Sequence, residues 1–93
     1  MTFEWDENKN QINQHKHGIS FEESMTVFYD DEALLEYDEQ HSTDEDRFRI
    51  LGRSDMGKLL LVVHCIRDES VIRIISSRKA TATEKAGYER SIR

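Results

Sequence analysis

The sequence predicts an α+β domain: an antiparallel meander of about four strands, with two helices before it and one after. Three observations carry this. Residues 47–53, 59–66 and 71–78 have the patterns of strands and are joined by two short polar turns. Capping signals at Asp6, Ser20 and Thr81 open three helical stretches. The strands follow one another directly instead of alternating with helices, which argues against a parallel, doubly wound sheet.

Each element has its own local reason. Thr2 to Trp5 is a short extended segment open to pairing. Asp6 is a good N-cap for a polar helix running to His17, and Gly18 supplies the left-handed residue that ends it. So polar a helix needs support, so Ile12 and the stems of Lys9 and Lys16 are expected to lie against something. Ser20-Phe21-Glu22-Glu23 has the form of a capping box, and Phe21, Met25 and Phe28 line one face of a short helix ending near Tyr29. Asp30 to Glu32 turns the chain, Ala33 to Tyr37 is extended, and Asp38 to Asp46 is a polar loop.

Along 47–53, Phe48 and Ile50 point one way and Arg47, Arg49 and Arg53 the other, giving a strand with one buried and one basic face. Ser54-Asp55-Met56-Gly57 is a hairpin turn. Leu59 to Ile66 is apolar on both sides, as a central strand should be, with Cys65 packed inside it. Arg67-Asp68-Glu69-Ser70 turns into the last strand, Val71 to Arg78, where Val and Ile favour an extended backbone. Thr81-Ala82-Thr83-Glu84 then forms a capping box for a closing helix that reaches about Ser91.

Ninety-three residues fit one domain, 1–93, with a modest core. No stretch has the pattern of a targeting signal or a membrane span, and the single cysteine excludes an internal disulfide, so a reducing cytoplasm is expected. The net charge of −6 is strongly segregated. Residues 22–46 hold eleven acids and no Lys or Arg, whereas residues 47–93 hold eleven bases and five acids. Such a chain offers one surface to phosphate and another to a cationic partner.

The chemistry on offer is cationic and hydrogen-bonding: Lys9, Lys16, His17, Arg47, Arg49, Arg67, Arg73, Arg78, Lys79, Glu84 and Tyr88. No His-Glu-x-x-His, paired cysteines, calcium loop or glycine-rich phosphate loop is present. Arg78 and Lys79 fall where the last strand meets the closing helix, and Glu84 and Tyr88 share one face of that helix. This set suits metal-independent RNA cleavage. The 2′-hydroxyl is the built-in nucleophile, and the protein supplies proton transfer and cations for the charge that develops on phosphorus.

The N-terminal run Phe3-Glu4-Trp5-Asp6-Glu7-Asn8-Lys9, with Asn13 and Lys16-His17-Gly18-Ile19-Ser20-Phe21-Glu22-Glu23, resembles the opening of the BrnT toxin family. Arg73-Ile74-Ile75-Ser76-Ser77-Arg78-Lys79-Ala80, with Glu84 and Tyr88, resembles that family's closing motif. Phe28 with Asp30, and Asp46-Arg47 with Gly52, fall at matching places between them. Ser77, Ser24 and Asp31 depart from the pattern without removing a cation. The resemblance implies a RelE-like fold and a type II toxin whose ribonuclease activity blocks translation. It also implies inhibition by a BrnA-type antitoxin that carries the DNA-binding domain, so that this chain meets DNA only indirectly and the pair represses its own promoter.

Residues and resemblance together place Arg78 and Arg67 at the phosphate, His17 or Glu84 in proton transfer, and Tyr88 and Lys16 in substrate positioning. Lys9, Arg47, Arg49, Arg73 and Lys79 are further RNA contacts, and no metal or cofactor is expected. The competing class is a non-catalytic module that docks the antitoxin and tunes repression without cutting RNA. Growth arrest on expression of the chain alone separates the two.

Overall fold

A computed structural model of the protein describes residues 1–92; Arg93, inside the expected 1–93 domain, lies outside the described residues. The elements in order are β1 (Thr2–Glu4), α1 (Glu7–His17), α2 (Phe21–Thr26), β2 (Leu34–Tyr37), β3 (Arg47–Arg53), β4 (Leu59–Arg67), β5 (Val71–Lys79) and α3 (Ala82–Ser91). Short 3-10 turns at Val27–Tyr29 and Glu39–His41 complete it. The three expected helices are present, but the sheet has five strands in the order β1-β5-β4-β3-β2 and is mixed. The extended N-terminal segment is the added strand. It runs parallel to β5, Thr2 opposite Val71 and Glu4 opposite Arg73, which corrects the purely antiparallel expectation.

Caps set the helix boundaries. Asp6 accepts from the amides of Asn8 and Lys9, and Gly18 closes α1 at φ +71°. Thr81 and Glu84 form the expected reciprocal box on α3. Only half of the box expected on α2 forms. Ser20 accepts from the Glu23 amide, but the Glu23 carboxylate turns inward and accepts from Ser54 Oγ at 2.6 Å.

The support for α1 also differs from expectation. Ile12 is 62% exposed, and Lys9 and Lys16 are exposed as well. The helix docks through Asn10 and Asn13 instead. Asn10 Oδ1 accepts from the Phe21 amide at 2.8 Å, and its Nδ2 donates to Glu22 at 2.9 Å. Asn13 reaches the sheet at Ser77. A polar helix is held here by hydrogen bonds that satisfy neighbouring backbone, so apolar periodicity is no guide to its buried face.

The main core, Ile19, Phe21, Val27, Ile50, Leu60, Val62 and Ile74, lies between one sheet face and the α1–α2 layer. His64 is buried there with the rings of Phe28 and Phe48 around it, and burial pushes its pKa down. Gly52 sits where a Cβ would lie 3.0 Å from Ala33 Cβ and Val27 Cγ1 and 3.1 Å from Asp30 Oδ2, so a side chain there would have to push these neighbours aside. A smaller cluster of Leu51, Leu59 and Tyr88 seats α3 on the other face. Among the described residues no helix is long and apolar enough to cross a membrane.

Candidate active site on the arginine face

The register assigns each strand residue to a face. Arg49 lies opposite Val63, which lies opposite Ser76; Arg47 lies opposite Cys65, which lies opposite Arg73; Leu61 lies opposite Arg78. Arg47, Arg49, Arg53, Arg67, Arg73 and Arg78 therefore share one face of the sheet, away from α1 and α2. A bulge makes this possible. Ser76 pairs with Val63 and Ile74 with His64, leaving Ile75 as the extra residue. Simple alternation puts Arg73 and Arg78 on opposite faces, and the bulge brings them together.

Acids from neighbouring elements hold most of these arginines. Arg78 makes a bidentate pair with Glu84, Nη1 to Oε1 at 2.8 Å and Nη2 to Oε2 at 3.0 Å. Arg73 Nη1 donates to Glu4 at 3.0 Å, Arg67 lies 3.6 Å from Glu45, and Arg49 pairs with Glu36. Arg47 makes no ion pair among the described residues. The acid-rich middle of the chain thus borders the basic half and partly neutralises it.

Glu84 is the most strongly tuned group on this face. The Arg78 guanidinium, with the Thr81 amide, pulls its pKa from 4.5 down to about 2. It stays ionised and fully engaged, which leaves it no proton to donate. The depressed value makes a stability prediction. A carboxylate of unfolded pKa 4.5 and folded pKa about 2 stabilises the fold above 4.5, and that contribution disappears as pH falls through 2. Glu84→Gln is expected to lower the urea midpoint at neutral pH, and the gap from the parent should close on acidification. Midpoints measured from neutrality down to about pH 2 check this; a gap independent of pH means that helix capping, not charge, is what Glu84 contributes.

Tyr88 is 2% exposed, and its hydroxyl donates to Asp30 Oδ2 at 2.6 Å. Burial and the Asp30 carboxylate push its pKa up to about 12. Arg53 stacks over its ring at 5.7 Å, and the Arg53 amide donates to the same Asp30 oxygen at 2.7 Å. The geometry makes Tyr88 an anchor of α3, with its hydroxyl closed to a substrate. Sequence reasoning noted Asp30 only as a turn residue that matches the family pattern, missed its contact with Tyr88, and placed Arg53 only on the basic face. The available signal was the match of Asp30 to the family pattern; composition alone does not separate it from its neighbours Asp31 and Glu32.

The expected constellation is split. Arg67, Arg78, Glu84, Arg47, Arg49 and Arg73 gather on or beside one sheet face, and Tyr88 lies buried under it. Lys9, Lys16 and His17 are carried by α1 over the opposite face, where they are exposed. Lys79 ends β5 opposite Leu60, on the α1–α2 side by register. Cys65 is buried, and burial raises its thiol pKa, so it is not activated.

The family described as "Ribonuclease toxin, BrnT, of type II toxin-antitoxin system" matches residues 5–84. The chain belongs to the BrnT family. The match runs from Trp5 to Glu84 and so spans the strands of the arginine face and the Arg78–Glu84 pair. Among solved structures, this BrnT-family chain is similar to the Brucella abortus ribonuclease toxin BrnT. The two are 25% identical with a TM-score of 0.66, over 87% of this chain and 97% of that one. No curated protein matches.

Proposed function

We propose that the chain is the toxin of a type II toxin–antitoxin pair, a cytoplasmic endoribonuclease that cuts RNA through the 2′-hydroxyl and so blocks translation. The observation that carries this reading is the arginine face: guanidinium groups from three adjacent strands on one open surface, in a chain of a ribonuclease toxin family. Arginine suits the task because its planar fork binds phosphate oxygens in pairs and stays charged. Arg78 and Arg67 take the scissile phosphate, Arg47, Arg49 and Arg73 the flanking backbone, and Glu84 holds Arg78 in place. Tyr88 contributes by fixing α3.

Proton transfer by His17 or Glu84 is not favoured by the arrangement, since His17 lies over the other face, and Glu84, held ionised by Arg78 and Thr81, is a weak base with no proton to give. Lys9, Lys16 and Lys79 then bind RNA only where it extends past the sheet. A BrnA-type antitoxin covers the arginine face, and the complex represses its own promoter through the antitoxin's DNA-binding domain. The internal neutralisation of the arginines favours a second reading, a docking module without activity; growth arrest on expression alone decides between them.

The reaction is metal-independent in this reading. Among the described residues no three His, Cys, Asp or Glu side chains converge, and arginines can supply the charge stabilisation a metal otherwise gives. Cleavage of RNA by the purified chain is expected to persist in excess EDTA, and its complete loss there rejects the metal-free route.

A further inference from the structure

The polar loop between β2 and β3 builds a second piece of chemistry. Its 3-10 turn sets His41 against Asp38, with Nδ1 at 3.1 Å from each carboxylate oxygen. The imidazole is 63% exposed and the carboxylate 7%, so Nδ1 is engaged and Nε2 is left for solvent or a ligand. The His41 imidazole holds the Asp38 carboxyl below its usual range, with Arg49 contributing.

The loop is fixed to the sheet. The Asp38 amide donates to the Arg47 carbonyl at 2.8 Å; Ser42 Oγ donates to the Asp38 carbonyl at 2.6 Å and accepts from the Arg47 amide at 2.9 Å. Asp38 and His41 line a cleft of about 280 Å³ with Arg47, Arg49, Val63 and Ser76. Arg47 has no acidic partner among the described residues, and the Nε–H of Arg49 is buried without an acceptor. An exposed His–Asp contact ordinarily adds little to stability. That account leaves unexplained why the carboxylate is buried and why cations line the rest of the cleft.

We infer that His41 is the general base of RNA cleavage, oriented by Asp38, and that the cleft seats the nucleotide whose 2′-hydroxyl attacks, with Arg47 and Arg49 on its flanking phosphate. This rests on the ribonuclease reading above. Asp38 is the positioning residue: it accepts the Nδ1 proton and so fixes the tautomer that leaves Nε2 basic. Nε2 takes the 2′-hydroxyl proton, the 2′-oxygen bonds to phosphorus, and the bond from phosphorus to the 5′-oxygen breaks. The proton returns by way of solvent to the departing 5′-oxygen. The products are a 2′,3′-cyclic phosphate and a 5′-hydroxyl, with no oxidant or cofactor consumed.

The test is RNA cleavage by the purified full chain, in buffer and in a translating extract, with the new RNA ends identified. His41→Ala is expected to lower the rate by about 10²–10⁴ with an unchanged melting temperature, and added imidazole should restore part of it. Asp38→Asn should lower kcat more than KM and alter the pH–rate profile, which a merely structural contact does not do. If His41→Ala does not fold, His41→Gln, which keeps a polar side chain there, decides. A parent that yields no cyclic phosphate ends overturns the ribonuclease reading and the dyad with it. An active parent matched within about threefold by a folded His41 variant overturns the dyad alone.

Discussion

Arg78→Ala is expected to reduce RNA cleavage by about 10²–10³ and to abolish growth arrest. Arg78 leaves β5 on the arginine face, and Glu84 takes one N–H from each terminal nitrogen. A guanidinium has five N–H donors, so donors remain for phosphate on a side chain that is 39% exposed. Glu84 fixes the orientation of the fork before substrate arrives, and a donor held in place strengthens as charge develops on phosphorus. The stability cost should be small, because a partly exposed ion pair is worth only ~0–1 kcal/mol. For a domain of this length that is a fall of no more than about 8 °C in Tm. Arg78→Lys keeps the charge but loses the fork, and is expected to fall between the two. A folded Arg78→Ala variant that still cuts RNA at close to the parental rate removes Arg78 from the site; a variant that does not fold makes the residue structural.

The elements were legible where local rules act alone. The Thr81 box, the Gly18 stop, the two hairpin turns and the alternation along β3 each follow from a few adjacent residues, and the structure has them all. What was not legible depends on distant partners. β1 is only Thr2–Glu4, and nothing in so short a segment says that it will lie parallel to β5. The bulge at Ile75 adds one residue within an unbroken β-branched run, so composition conceals it. The Tyr88–Asp30 contact joins positions 58 residues apart. His41 and Asp38 sat inside what reads as a solvated acidic loop, and only the 3-10 turn shows that they face one another.

Asn13→Leu is expected to be strongly destabilising. β1 stops pairing at Arg73, so the edge of β5 beyond it has no strand beside it. Asn13 stands in for that strand. Its Oδ1 accepts from the Ser77 amide at 3.1 Å, and its Nδ2 donates to the Ile19 carbonyl at 2.9 Å and to Ser77 Oγ at 3.2 Å. Asn13, Ile19 and Ser77 are all buried, so water cannot replace the lost partners. Leucine is close in size but leaves an amide and a carbonyl unsatisfied, at about 1–3 kcal/mol each. Their sum, ~2–6 kcal/mol, is a large part of the stability of a domain this small. Each kcal/mol moves Tm by roughly 4–8 °C, so a fall of at least about 8 °C is expected in thermal unfolding. Asn13→Asp gives the sharper reading. It keeps an acceptor for the Ser77 amide but turns an anion toward the Ile19 carbonyl. Burial raises the folded pKa of such a carboxyl, so its penalty is largest at neutral pH and shrinks as the group protonates on acidification. A leucine variant that melts within a few degrees of the parent, or an aspartate variant that gains nothing in acid, shows that α1 is held by something other than Asn13.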